Sequence, residues 1–271
     1  MKLGLVGGGF MGEAIVRAAL RGGLATPGEI VVCEQIPERR QLLAQDPGVT
    51  VTAELAEVAA GEGPLILAVK PQDCASLAPL GPALRQDRTV VSIMAGVRMS
   101  AIRALLGRDR VARVMPNTPA AIGAGVSVWT ADPSVPEADR EAIARLLEAM
   151  GRQVYVDDEK YLDMATAVSG SGPGYVYLLV EAFIDAAVAL GFARDIATQL
   201  AVYTFLGSAR YLVETGKHPA VARNEVTSPG GTTAAGLVEL ESAGVRAAFV
   251  RAVTKAYERA RELGAEPPSK P

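Results

Sequence analysis

Residues 2–12 read KLGLVGGGFMG, and the run EAIVRAAL follows at 13–20. An apolar stretch ending at Val6 passes directly into Gly7-Gly8-Gly9-Phe10-Met11-Gly12, and a helical pattern opens at once. This is G-x-G-x-x-G in the strand–turn–helix setting it requires. Gly7 permits the tight turn, Gly9 lets the backbone approach a pyrophosphate, and Gly12 lets the helix pack on the strand. The first amides of the helix have no intrahelical acceptor and favour an anion. The stretch predicts an α/β sheet with a dinucleotide at its edge.

Further along the chain, EIVVC (29–33), PLILAV (64–69), RTVVSI (88–93) and RVARVM (110–115) are short Val/Ile/Leu-rich runs without polar alternation. Helix-like patterns separate most of them. Continuous apolar strands between helices imply a mostly parallel sheet covered on both faces. GVSVW (125–129) and QVYVD (153–157), on either side of a helical pattern at 136–150, add further strands. Beyond residue 156 the strands stop. Helices are expected at about 159–168, 173–190, 195–214, 218–225, 232–242 and 244–264. The composition shift divides the chain into a Rossmann domain, 1–156, and an all-helical domain, 157–271. The tail AEPPSKP (265–271) is expected to fray.

Composition narrows the function classes. The 271 residues carry a net charge of −3, are 49% hydrophobic and only 5% aromatic, so the core is aliphatic and no phosphate-backbone partner is implied. Cys33 and Cys74 form neither a disulfide framework nor a zinc pattern, and no metal site is expected. No signal peptide precedes the first strand, and the compartment is read as cytoplasmic. GYVYLLVEAFIDAAVAL (174–190) is almost wholly apolar, but Glu181 and Asp185 interrupt it, so a buried soluble helix is expected, not a membrane span. That helix is apolar around most of its circumference, which predicts that a second subunit covers it.

Several loops fall where open α/β sheets hold ligands. Glu34 ends the second strand, where a carboxylate can bond the adenine ribose and would repel a 2′-phosphate. Arg39 and Arg40 lie near enough to meet such a phosphate, so the choice between NADPH and NADH stays open, leaning towards NADH. Ala68-Val69-Lys70-Pro71 and Ile93-Met94-Ala95 end two further strands. Met115-Pro116-Asn117-Thr118-Pro119 is stiffened by its prolines and reads as a wall of a substrate site or a rigid connection. Ser169-Gly170-Ser171-Gly172-Pro173-Gly174 and Ser228-Pro229-Gly230-Gly231-Thr232-Thr233 each precede a helix. The second run combines hydroxyls with free amides and suits a small carboxylate.

In this order, the glycine turn, AVKPQ, MPNTPA, SGSGPGY and TSPGGTT resemble the pyrroline-5-carboxylate reductase family across nearly the whole chain. The resemblance implies NAD(P)H-dependent reduction of the C=N bond of 1-pyrroline-5-carboxylate to L-proline. It also implies a helical dimerisation domain and dimers that can assemble into a decamer. Carried onto this sequence, Val6, Gly7, Gly8, Gly9, Phe10 and Met11 would contact the pyrophosphate. Ala68, Val69, Lys70 and Pro71 would line the cofactor, with Ile93, Met94 and Ala95 on the nicotinamide side. Ser228, Gly231, Thr232 and Thr233 would hold the substrate carboxylate. Thr233 would also lie near the ring nitrogen, and Glu159 would contact the ring amine. The chain departs from the family's pattern at Glu34, where small polar residues are frequent, and at Gly174, where alanine is frequent.

The chemistry agrees with the scarcity of titratable groups in these motifs. The single histidine, His218, reads as a helix-entry residue. An imine enters as the protonated iminium, already an electrophile, and mainly needs placement against a hydride donor. A β-hydroxyacid dehydrogenase-like reading would want a lysine on the helix after SGSGPGY, and none stands there. A non-catalytic nucleotide-binding protein would leave the TSPGGTT cradle without a purpose.

Overall fold

Leu3–Val6 forms β1 with every residue buried, because both faces of the strand are covered. The computed structural model describes residues 1–265. The chain continues through α1 (Phe10–Arg21), β2 (Ile30–Cys33), α2 (Pro37–Gln45), β3 (Thr50–Thr52), α3 (Leu55–Ala59), β4 (Leu65–Leu67) and α4 (Leu80–Ala83). Next come β5 (Val90–Ser92), α5 (Met99–Leu106), β6 (Val111–Met115), β7 (Gly125–Ala131), α6 (Glu137–Ala149), β8 (Gly151–Tyr155) and α7 (Lys160–Ala165). The strands form one sheet in the order β3-β2-β1-β4-β5-β6-β7-β8. All pairings are parallel except β6 with β7. The N-terminal domain is therefore a Rossmann-type sheet with a reversed join near one end.

Side-chain alternation along the strands divides the core in two. Leu5, Ile66, Val91 and Val114 bury on one face with Ile15 and Val16 of α1 and Ile143, Leu146 and Leu147 of α6. Val6, Leu65, Leu67, Val90 and Val111 bury on the other with Leu77, Leu80, Ile102 and Leu106. Truncating one of these leucines or isoleucines to alanine should cost about 2–5 kcal/mol.

The compact unit that contains the sheet runs from Met1 to Ser171 and regains the chain from Lys255 onward. It therefore extends past the 156/157 division suggested by the last strand. The physical reason is a buried ion pair: Arg113 on β6 bonds Glu159 and Asp163, which draws α7 onto the sheet. A π-helical turn, Thr166–Gly170, then leads out of this unit.

The second unit, Gly172–Thr254, is wholly helical. It holds α8 (Gly172–Ala189), α9 (Arg194–Thr215), α10 (Pro219–Glu225), α11 (Thr232–Ser242) and the first part of α12 (Val245–Ala265). α8 and α9 pack together, with Phe183 and Phe205 edge to face at 5.9 Å. Gly216 ends α9 in the left-handed conformation that a C-terminal cap requires. No residue of α8 is buried within a single chain, although the helix is almost entirely apolar. The expected fraying tail at 265–271 falls almost wholly outside the described residues.

Candidate active site

The carboxyl ends of β1, β2, β4 and β5 form one edge of the sheet, and backbone hydrogen bonds draw the loops there together. Gly7 N donates to Cys33 O and Ala68 N to Val6 O, each at 2.8 Å. Ile93 N donates to Leu67 O at 3.0 Å. The glycine turn, Ala68–Pro71 and Ile93–Ala95 thus lie on neighbouring strand ends. Gly7 has φ +100°, and a Cβ there would come within 2.7 Å of the Ala68 carbonyl oxygen. A Cβ at Gly12 would run into the Gly7 carbonyl, so the first turn of α1 closes tightly on the strand.

A Cβ at Gly9 would meet nothing within 4 Å. Gly9 caps α1 and has no side chain to bond the first amides of the helix, so those of Phe10 and Met11 have no intrahelical acceptor. This is a cradle whose bare backbone fits a pyrophosphate. Val6 and Met94 bury their side chains in the core and present only backbone at this edge. Lys70 is exposed and opens the 3₁₀ turn Pro71–Leu77.

Glu34 is buried at the end of β2 and turned inward. Its Oε2 accepts from Gly8 N at 2.7 Å and its Oε1 from Ile36 N at 2.9 Å. Arg39 donates to Gly8 O at 2.6 Å and to Glu13 Oε2 at 2.8 Å, and Arg40 donates to Glu34 O at 2.7 Å. Burial pushes the Glu13 carboxyl up, but hydrogen bonds from Arg17 and Arg39 outweigh it and hold the group below its ordinary value. The charges that sequence reading offered to a ribose or a 2′-phosphate thus also lock the glycine turn to β2.

The second unit carries the other cluster. Gly231 caps α11, and its N–H donates to Ser228 O at 3.0 Å. A Cβ at Gly231 would strike the Ser228 hydroxyl. Thr232 and Thr233 occupy the first two helical positions, so their amides lack intrahelical acceptors. Among the described residues, no side chain or carbonyl bonds the hydroxyls of Ser228, Thr232 or Thr233, whereas Thr227 Oγ1 donates to Arg223 O at 2.6 Å. Three free hydroxyls and a helix start therefore belong to one turn.

Other expected residues have structural work. Glu159 Oε1 accepts from Arg113 Nη1 at 3.0 Å and from Met99 N at 2.8 Å, which gives this carboxylate a role in the sheet unit. Asn117 Oδ1 accepts from Val126 N at 2.9 Å, so the proline-bracketed loop is a rigid connection into β7. Ser169 Oγ donates to Ala165 O, and His218 Nδ1 accepts from Ala220 N at 3.2 Å as the cap of α10. Asp185 pairs with Arg194 at 3.1 Å. Among the described residues, no group of His, Cys, Asp and Glu has the placement to hold a metal ion. Arg113 and Asp163 were missed from sequence. The available signal was Arg113 in the middle of the apolar run VARVM (111–115), since a buried charge demands a partner.

Comparison with known proteins agrees with both halves. Residues 159–263 match the family described as pyrroline-5-carboxylate reductase dimerisation, and residues 2–96 match that described as NADP oxidoreductase, coenzyme F420-dependent. A pyrroline-5-carboxylate reductase of Synechocystis is 43% identical over 269 residues, covering 97% of this chain and 98% of the relative. The solved pyrroline-5-carboxylate reductase of Coxiella burnetii has a TM-score of 0.87 at 32% identity, covering 97% of this chain and 98% of that one. The Plasmodium falciparum pyrroline carboxylate reductase, solved with NADP bound, has a TM-score of 0.88 at 27% identity, with the same coverage. Likeness on this scale leaves neither half of the molecule outside it, and the chain belongs to the pyrroline-5-carboxylate reductase family.

Proposed function

We infer that this chain is an oxidoreductase that reduces 1-pyrroline-5-carboxylate to L-proline with NAD(P)H, the last step of proline biosynthesis. The observation that carries the reading is the Gly231-capped start of α11, with its free amides and unpaired Ser228, Thr232 and Thr233 hydroxyls. A small carboxylate without a phosphate is the ligand such a turn suits. The proposed substrate contacts are Ser228, Gly231, Thr232 and Thr233. Thr233 acts on the reaction through its hydroxyl oxygen, which accepts one hydrogen bond from the iminium N–H of the ring. Glu159 is left out of this set, because its Oε1 already serves Arg113 and Met99.

When bound, NAD(P)H supplies the hydride. Val6 to Met11 would hold its pyrophosphate through backbone amides, with Glu34 beside its ribose. Ala68 to Pro71 would line it, and Ile93 to Ala95 would support the nicotinamide. The substrate arrives as the iminium, so no side chain needs to deliver a proton before hydride transfer. The protein's work is to orient the C=N carbon against the donor and to exclude water.

By this reading, residues 1–156 bind the cofactor, and residues 157–271 bind substrate and self-associate. The helix segment Lys160–Ala189 is long and apolar enough to cross a membrane by length and composition alone. The match to a dimerisation family instead gives its apolar surface a protein cover. We place the enzyme in the cytoplasm as a dimer that can build into a decamer. Loss of NADPH absorbance on addition of 1-pyrroline-5-carboxylate, with proline as the product, is the direct test. An enzyme that binds NADPH yet leaves this substrate unreduced would overturn the reading.

A further inference from the structure

Arg113 is 2% exposed on β6, inside the sheet. Its Nη1 donates to Glu159 Oε1 at 3.0 Å and its Nη2 to Asp163 Oδ1 at 2.8 Å. Glu159 is shared: the same Oε1 accepts from Met99 N at 2.8 Å, at the first residue of α5. A carboxylate aimed at a helix N-terminus is well placed against the helix dipole. The strand register sets Arg113 beside Ser92, the last residue of β5.

The loop 93–98 joins β5 to α5, so it is held at both ends. At its start, Ile93 N is bonded to Leu67 O at 3.0 Å, and Met94 N to Ser92 Oγ at 3.3 Å. At its end, Met99 N is bonded to Glu159. Between them, Gly96 (φ +75°) lies against the last turn of α12, where a Cβ would come within 3.1 Å of the Leu263 side chain. The loop is thus clamped by the sheet, by α12 and by one carboxylate that Arg113 orients.

We propose that Glu159 and Arg113 are positioning residues: through Met99 N they set the height of loop 93–98, and so the pose of the nicotinamide. This rests on the assignment of Ile93–Ala95 to the nicotinamide side. It turns Glu159 from a substrate contact into a residue that acts through the cofactor loop. Glu159 is the better one to vary, because it borders a polar cleft shared with Arg98, Lys160, Tyr257 and Arg261 and is half-buried. Arg113, by contrast, is fully buried.

The test compares Glu159→Ala with Glu159→Gln in the full-length enzyme. It reads the NADPH Kd by fluorescence titration without substrate, then kcat and both KM values. Glu159→Ala should raise the NADPH Kd and KM about tenfold and lower kcat, because a small misplacement of a reacting group is costly. The KM for 1-pyrroline-5-carboxylate should stay near the wild-type value. Glu159→Gln should recover most of the loss, since its amide oxygen can still accept from Met99 N. An unchanged NADPH Kd with a raised pyrroline-5-carboxylate KM would return Glu159 to the substrate and overturn the proposal. A lowered Tm with unchanged kinetics would overturn it too.

Met99→Pro tests the same link if Glu159→Ala does not fold. It deletes the N–H at a position where proline suits a helix, after Arg98 at φ −75°, ψ 153°. A rise in NADPH Kd like that expected of Glu159→Ala supports the proposal, and a wild-type Kd overturns it. The fluorescence measurement needs no turnover. Failure of the wild-type enzyme to reduce pyrroline-5-carboxylate would therefore count against the proposed function alone.

Discussion

The Glu34 carboxylate accepts the Gly8 amide at 2.7 Å, which joins the end of β2 to the middle of the glycine turn. One side chain thus shapes the turn and, on the proposed cofactor assignment, would also set the charge beside the adenine ribose. Glu34→Ser removes a negative charge from where a 2′-phosphate would lie. The NADPH/NADH ratio of kcat/KM should rise about tenfold, since like-charge juxtaposition is costly. The Gly8 and Ile36 amides lose their acceptor, so stability should fall by about 1–3 kcal/mol. Kinetics with both cofactors and a thermal melt check this. A lowered Tm with an unchanged ratio would make Glu34 a turn holder only.

Assembly should be obligatory. Leu178 is 65% exposed on the almost wholly apolar α8, and Val213 is 83% exposed on α9, in a single chain. Patches of that kind on a soluble domain mark an interface. Light scattering at micromolar concentration should show a dimer or a larger species and no active monomer. Leu178→Glu should break the assembly and the activity together, as read by the same instrument and by the NADPH assay.

Both thiols should be silent in the native enzyme. Burial pushes Cys33 and Cys74 above the ordinary thiol value, so each holds its proton through neutral pH and gives little nucleophilic thiolate. A thiol reagent at pH 8 should label neither cysteine in the folded protein and both after denaturation. Rapid native labelling of Cys74 would mean that the 3₁₀ turn Pro71–Leu77, beside the cofactor edge, opens readily.

Much of the Rossmann domain was legible because its strands are buried on both faces, and so read as unbroken runs such as Leu65–Leu67. β3 was not, because Thr50-Val51-Thr52 is a three-residue edge strand with polar ends and an exposed first residue. The antiparallel join of β6 to β7 was not legible either, since an apolar run carries no direction. Helix bounds after residue 170 were close to those expected because glycine caps such as Gly216 leave a local signal. The turn proposed to hold the carboxylate, Ser228–Thr233, stood out as a motif, but the work of Glu159 did not. Its partners, Arg113 and Met99, lie 46 and 60 residues away, and only the fold brings them together.

Thr233 should act on catalysis and not on stability. It is half-buried at the second position of α11, and no hydrogen bond within the described residues occupies its hydroxyl. The rival role, helix capping, belongs by geometry to Gly231, which makes no side-chain cap bond. Thr233→Ala therefore deletes no capping interaction, and its Tm should stay near that of the wild type. Its proposed task is one neutral hydrogen bond that fixes the pyrroline nitrogen and so the face of the C=N carbon offered to the hydride. Losing such a contact should cost about 1–3 kcal/mol of transition-state binding, or roughly ten- to a hundredfold in kcat/KM. NADPH binding should not change, because the hydroxyl serves only the substrate. Thr233→Ser keeps the hydroxyl and should recover most of the activity, which separates loss of the hydrogen bond from loss of the methyl group. Steady-state kinetics, NADPH titration and a melt on the two variants decide the matter. A Thr233→Ala enzyme with unchanged kcat/KM and a lowered Tm would reduce Thr233 to a structural residue and leave the iminium oriented by the carboxylate contacts alone.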